Sequence, residues 1–144
     1  MTIVAVDFGK KRIGLAISDP AQLGAYPLGT VERRSTVLDL ADIQRRIADR
    51  EVSRIVVGLP LNMDGSEGSI ARAARNFGTR LGEYLGLPID FHDERLSSVE
   101  ADERMRPMLS GRRRKAVLDS VAAAVILEGW MQAHPRTDRD NAQG

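Results

Sequence analysis

Cysteine is absent from the 144 residues, which excludes disulfides, thiolate-bound zinc and a cysteine nucleophile. Histidine occurs twice, at His92 and His134, too rarely for an imidazole-built metal cluster. Metal chemistry would therefore fall to carboxylates, which favour hard ions such as Mg2+ or Mn2+. Aromatic residues make up 4% of the chain, which argues against platforms for base stacking; Phe77 and Trp130 read as core. Neither sign of charge dominates, since the formal net charge is +1. A role with nucleic acid would therefore need a local basic patch. No apolar run is long enough to span a bilayer. The apolar start, Thr2–Val6, stops at Asp7 and is too short for the apolar segment of a signal peptide. The expectation is a cytoplasmic protein.

What is present is an ordinary globular balance, 42% hydrophobic and 28% charged. The length fits one domain with a real core. We place that domain at 1–132 and expect a flexible polar tail over 133–144, where periodicity is lost. There is no internal repeat.

The pattern predicts strands at Ile3–Val6 and Arg12–Ile17, joined by a tight turn at Gly9-Lys10-Lys11, and a weaker third at Leu28–Glu32. Ser35 or Thr36 can cap a helix to about Arg50, with Leu40, Ile43 and Ile47 on one face. A strand at Arg54–Val57 leads into a loop at 62–66. An amphipathic helix follows, with Ile70, Ala74, Phe77, Leu81 and Leu85 at helical spacing, ended by Gly86 and Pro88. Ile89–His92 is the next strand. Ser97-Ser98-Val99-Glu100 reads as a capping box for a short helix toward Met105. A basic connector then leads to an alanine-rich helix over Lys115–Gln132. This order implies an α/β domain with a mixed sheet: an antiparallel meander first, then two strands parallel to the first through helical crossovers.

Acids stand at telling places in this pattern. Asp7 ends the first strand, and Asp93 and Glu94 end the last, at the sheet edge where open α/β sheets place their sites. On the last helix, Asp119 shares a face with Ala122, Ala123, Ile126 and Trp130, an apolar face on which a carboxylate needs a reason. Asp7, Glu94 and Asp119 could converge. Two such charges ~4 Å apart repel by about 4 kcal/mol at an effective dielectric near 20, which a divalent cation would remove. Paired cations suit phosphodiester hydrolysis. Each acid also admits a plain reading as a cap, turn or ion-pair residue; Lys115 and Asp119, four apart, fit an ion pair.

The segments DFGKKRIGLAISD, VVGLPLNMDGSEG, DERLSSVEA and KAVLDSVAAAVILEGW, in that order, resemble the YqgF family over nearly the whole chain. The resemblance implies a ribonuclease H-like fold, a five-stranded mixed sheet in the order 3-2-1-4-5 flanked by helices. It implies a nuclease, acting in 5′-end maturation of pre-16S ribosomal RNA or on Holliday junctions. It places a catalytic, metal-binding site at Asp7, Glu94 and Asp119. Ribosomal particles become possible partners, and junction cleavage would want a homodimer where RNA cleavage can use a monomer.

Basic residues adjoin each acid: Lys10, Lys11 and Arg12 beside Asp7, Arg95 after Glu94, and Arg112, Arg113, Arg114 and Lys115 before Asp119. They suit a phosphate backbone, and they also suit solvated loops. Asn62 and the N–H groups near the next helix start could hold a phosphate. The alternative there is a structural turn with Asp64 or Ser66 as cap. His92 reads as a packed strand residue, and Ser97 and Ser98 as cap residues. Two other classes compete with a nuclease. Actin-like nucleotide-binding proteins also follow a strand with Asp-x-Gly, although they close two domains over a nucleotide. A non-catalytic nucleic-acid-binding module is the other.

Overall fold

The protein is described from a computed structural model, which covers residues 1–96 and 114–135, with side chains at 1–96 and 119–135. The short helix expected from Ser97, Arg112, Arg113, and the side chains of Arg114 and Lys115 lie outside the described residues, as does the tail beyond Pro135.

Three strands, β1 (Thr2–Phe8), β2 (Arg12–Ser18) and β3 (Ala25–Glu32), form an antiparallel meander. Then come α1 (Thr36–Ile47), β4 (Val52–Leu59), α2 (Ser69–Leu85), β5 (Ile89–Asp93), a 3-10 turn at Glu94–Leu96, and α3 (Arg114–Ala133). The five strands lie in the order β3-β2-β1-β4-β5, and β4 runs parallel to both β1 and β5. The expected order and directions both hold.

Side-chain alternation splits the sheet into two packed faces. Val4, Val6, Ile13, Leu15, Ile17, Ile55, Val57 and Leu59 face Leu40, Ile43, Ile47, Ala74, Phe77 and Leu81 of α1 and α2. On the other face Ile3, Ala5, Ala16 and Val56 meet α3 through Val121, Ala123, Ala124, Ile126, Leu127 and Trp130. Small residues on both sides let α3 lie close to the sheet. Trp130 also donates its indole N–H to Asp90 at 3.1 Å, which ties the far end of α3 to β5.

Several boundaries differ from the sequence expectation for visible reasons. The β1–β2 ladder continues through Asp7–Gly14 and Phe8–Ile13, so Asp7 lies inside its strand rather than at its end. β3 starts earlier, at Ala25, and includes Pro27, which an edge strand tolerates. Ser35 caps α1, accepting from the Leu38 N–H at 3.2 Å, but the helix ends at Ile47 instead of Arg50, because the Arg50 N–H closes a turn on the Ile47 carbonyl. Helix α2 is preceded by Gly68 with no side-chain cap, so neither Asp64 nor Ser66 plays that part. Ile70 is exposed and Ala71 takes its place on the buried face, since a helix starting at Ser69 turns Ile70 outward.

Candidate active site

Asp7 stands between two glycines. On one side it pairs with Gly14 of β2. On the other, one residue past the Val6–Val57 pair, lies Gly58 of β4. Both glycines make room for an acid. A Cβ on Gly14 would sit 1.9 Å from the Asp119 carbonyl oxygen, so only glycine lets the backbone of α3 settle there. A Cβ on Gly58 would sit 3.1 Å from Glu94 Cγ and 2.5 Å from Ile126 Cδ1. Gly58 pairs with His92 on its far side, so β4 separates the strand of Asp7 from the strand that leads to Glu94. The missing side chain at Gly58 lets Glu94 lean across that gap.

Asp7 therefore lies within electrostatic reach of both other acids, Asp119 from the first turns of α3 and Glu94 from the turn after β5. Their electrostatics show it. Burial, and then the charge of Asp119, raise the Asp7 pKa to about 6. Burial, followed by the charges of Asp7 and Asp93, raises Glu94 to about 7. Asp119 accepts a hydrogen bond from Arg12 Nε at 2.8 Å. Among the described residues no three acidic or histidine side chains stand close enough together to hold one ion as placed. The donor chemistry nevertheless fits a hard divalent cation: two half-buried carboxyls whose charges are penalised, with a third carboxylate within electrostatic reach.

The other expected site residues fall into different settings. Lys10 and Lys11 are exposed at the β1–β2 turn, which the Gly9 N–H closes on the Arg12 carbonyl at 3.1 Å. Lys10 also lines a cleft of about 170 Å³ with Phe8, Gly9, Arg33 and the first turn of α2. Arg33, which motif reasoning passed over, lies with its guanidinium 4.4 Å from the Phe8 ring centroid. Arg95 is engaged on Asp93, with Nη2 to Oδ2 at 2.7 Å, and donates through Nη1 to the Met63 carbonyl at 3.0 Å. Its hydrogen bonds hold Asp93 below the usual carboxylate range. Asn62 closes its own loop, with Nδ2 to Ser66 Oγ at 3.0 Å and its backbone N–H to the Ser66 carbonyl. Asn62 and Arg95 thus build the loop beside the acids. His92 is buried, and burial, followed by the charge of His134, pushes its pKa down. A neutral, buried imidazole is the packed strand residue expected.

Sequence reasoning passed over Gly14 and Gly58: a glycine inside an apolar strand marks a close approach, but not which residue approaches. A mixed five-stranded sheet in the order 3-2-1-4-5 with helices on both faces is the ribonuclease H-like fold. Comparison with solved structures agrees on the fold. The RuvC structure of Thermus thermophilus superposes with a TM-score of 0.57 at 14% identity, covering 92% of this chain and 96% of that one. The chain belongs to the RuvX (YqgF) family, described as Holliday junction resolvase, whose profile matches residues 1–133. A relative from Anaeromyxobacter dehalogenans is 51% identical over 132 residues, 91% of this chain and 96% of its own length. One from Myxococcus xanthus is 44% identical over 141 residues, 97% and 93% of the two chains. Both carry the name "Putative pre-16S rRNA nuclease".

Proposed function

We propose that the protein is a metal-dependent nuclease that hydrolyses RNA phosphodiester bonds at the 5′ end of pre-16S ribosomal RNA, using Mg2+ or Mn2+. The observation that carries this reading is the setting of Asp7. It is half-buried between two glycines, and it feels the charge of Asp119 while its own charge presses on Glu94. Acids kept so close at a strand end lose stability unless a cation joins them. In the proposal Asp7 and Glu94 are the buried anionic donors and Asp119 is the third. Substrate phosphate oxygens complete such sets. A bound divalent cation would supply a hydroxide nucleophile at neutral pH and offset charge on the phosphate.

The chain's own part is placement. β1 fixes Asp7 rigidly, the 3-10 turn presents Glu94, and α3 brings Asp119 over Gly14. In this reading Lys10 and Lys11, exposed on the turn that follows β1, would contact the substrate's phosphate backbone. The names borne by the relatives favour ribosomal RNA as substrate. On this reading pre-ribosomal particles would be partners, and the cytoplasm the place of action. A second reading, cleavage of branched DNA, rests on the description of the family.

The test is a cleavage assay with Mg2+ and with Mn2+ on a 5′-extended 16S RNA fragment, linear duplex DNA and four-way junctions. Cutting of the RNA alone, abolished by EDTA and by E94Q, is the expected result. Cutting of junctions alone would move the protein to the second reading. Binding without cleavage of any substrate would make it a binding module.

A further inference from the structure

Arg12 and Asp119 meet across 107 residues, with Nε to Oδ2 at 2.8 Å. Gly14 is the cause. It lies two residues after Arg12 on the same face of β2, and its bare backbone receives the Asp119 carbonyl. Helix α3 therefore lands where the Arg12 side chain can reach its carboxylate. Both side chains are about one-third exposed, at 29% and 33%. A pair this accessible is held weakly and exchanges readily. Asp119 is near enough for Asp7 to feel its charge, yet with Asp119 on Arg12 the acids do not form a three-donor group among the described residues. Arg12 directly follows Lys10 and Lys11, so a released guanidinium would join two exposed ammonium groups at one turn.

We propose that the Arg12–Asp119 pair is a latch that couples metal loading to substrate binding. Without a cation, Arg12 holds the third carboxylate. On loading, Asp119 leaves Arg12 for the acidic site, and Arg12 turns to a substrate phosphate, for which its planar fork is suited. This rests on the metal-dependent reading above. The competing role is a clamp, in which Arg12 keeps its hydrogen bond and orients Asp119 while the other carboxylate oxygen faces the cation.

The wild-type protein distinguishes these by nuclear magnetic resonance. Mg2+ is titrated while the Arg12 Nε–H signal and the Asp7 and Glu94 carboxyl carbons are followed. A latch shifts the carboxyl signals and moves Arg12 Nε–H to the position of a free arginine, with faster solvent exchange. Carboxyl signals that saturate while Arg12 stays bonded overturn the latch and leave the metal site standing. Carboxyl signals that never move remove the metal site and the latch together. Calorimetry gives a second measure: R12M should bind Mn2+ about two- to fivefold more tightly than wild type, the range expected from loss of an exposed pair. K11M, which removes a neighbouring charge that pairs with no acid among the described residues, should not. Equal tightening in both variants would reduce the effect to the general field of the turn and overturn the latch.

Discussion

Gly14 and Asp119 are in backbone contact, so close that a methyl group on Gly14 would lie 1.9 Å from the Asp119 carbonyl oxygen. Gly14 is also the pairing partner of Asp7. One glycine thus joins two acids from opposite ends of the chain, and the site depends on a side chain that is missing.

Gly14→Ala should therefore damage the site as well as the fold. The obstacle is backbone, which cannot rotate aside, so α3 must lift from β2. Overpacking of this kind costs about 1–3 kcal/mol. Cleavage should fall at least about tenfold, because misplacing a positioned group by ~1 Å costs that much or more. Urea unfolding and initial cleavage rates check the two parts. Wild-type behaviour in both would mean that α3 does not rest on Gly14.

The raised carboxyls give the metal-free protein an unusual pH dependence. Asp7 moves from 3.8 to about 6 and Glu94 from 4.5 to about 7. Between about pH 4 and 7 the folded protein then holds more protons at these groups than the unfolded chain does. Their contribution to stability falls as pH rises through that window, opposite in sign to a salt-bridged carboxylate. D7N and E94Q should each flatten this part of the curve and stabilise the metal-free protein at pH 8, by roughly 1–3 kcal/mol. Thermal unfolding in EDTA from pH 4.5 to 8 measures it. Parallel curves for wild type and both variants would place these acids in ordinary solvent.

Arg95 separates a tether from a phosphate contact. Its hydrogen bonds to Asp93 and to the Met63 carbonyl join the loop at 62–66 to the end of β5. R95A should speed hydrogen exchange in that loop and change global stability by no more than about 0.5 kcal/mol, since the side chain is exposed. The slope of log RNA affinity against log salt should stay at its wild-type value. A slope reduced by about one unit would instead mark Arg95 as a phosphate ligand.

The layout of this fold was open to reading because its signals are local. Alternating apolar residues in Ile3–Val6 and Arg12–Ile17, the spacing of Phe77 and Leu81, and the stop at Gly86 each follow from short-range geometry. Strand ends were less legible: the antiparallel ladder carries β1 on through Asp7 and Phe8, and pairing partners do not appear in a strand's own sequence. The acids could be picked out as polar residues in apolar settings. What gathers them could not, because Gly14 and Gly58 act by contacts with Asp119, Ile126 and Glu94 far along the chain. The same holds for Arg12. Sequence spacing offered Lys115 as one partner of Asp119, a pair that lies outside the described side chains, and the fold adds Arg12, which no spacing rule connects to it. Arg95, next to Glu94, and Asn62, in a loop at the sheet edge, read as candidate phosphate contacts; the fold shows Arg95 bonded to Asp93 and the Met63 carbonyl, and Asn62 bonded to Ser66, contacts that sequence neighbours do not reveal.

Asp7 is the centre of the proposed site, and one substitution tests it. Asn is nearly the same size as Asp, so D7N keeps the packing between Gly14 and Gly58 while it removes the charge and one donor oxygen. The measurement is the initial rate of cleavage of 5′-extended 16S RNA at saturating Mn2+, wild type against D7N, at equal folded concentration. The rate should drop by a factor on the order of 100 or more when a metal-holding group is lost. A D7N protein that cleaves at the wild-type rate would show that the acids beside the central strands are not where this chain does its chemistry.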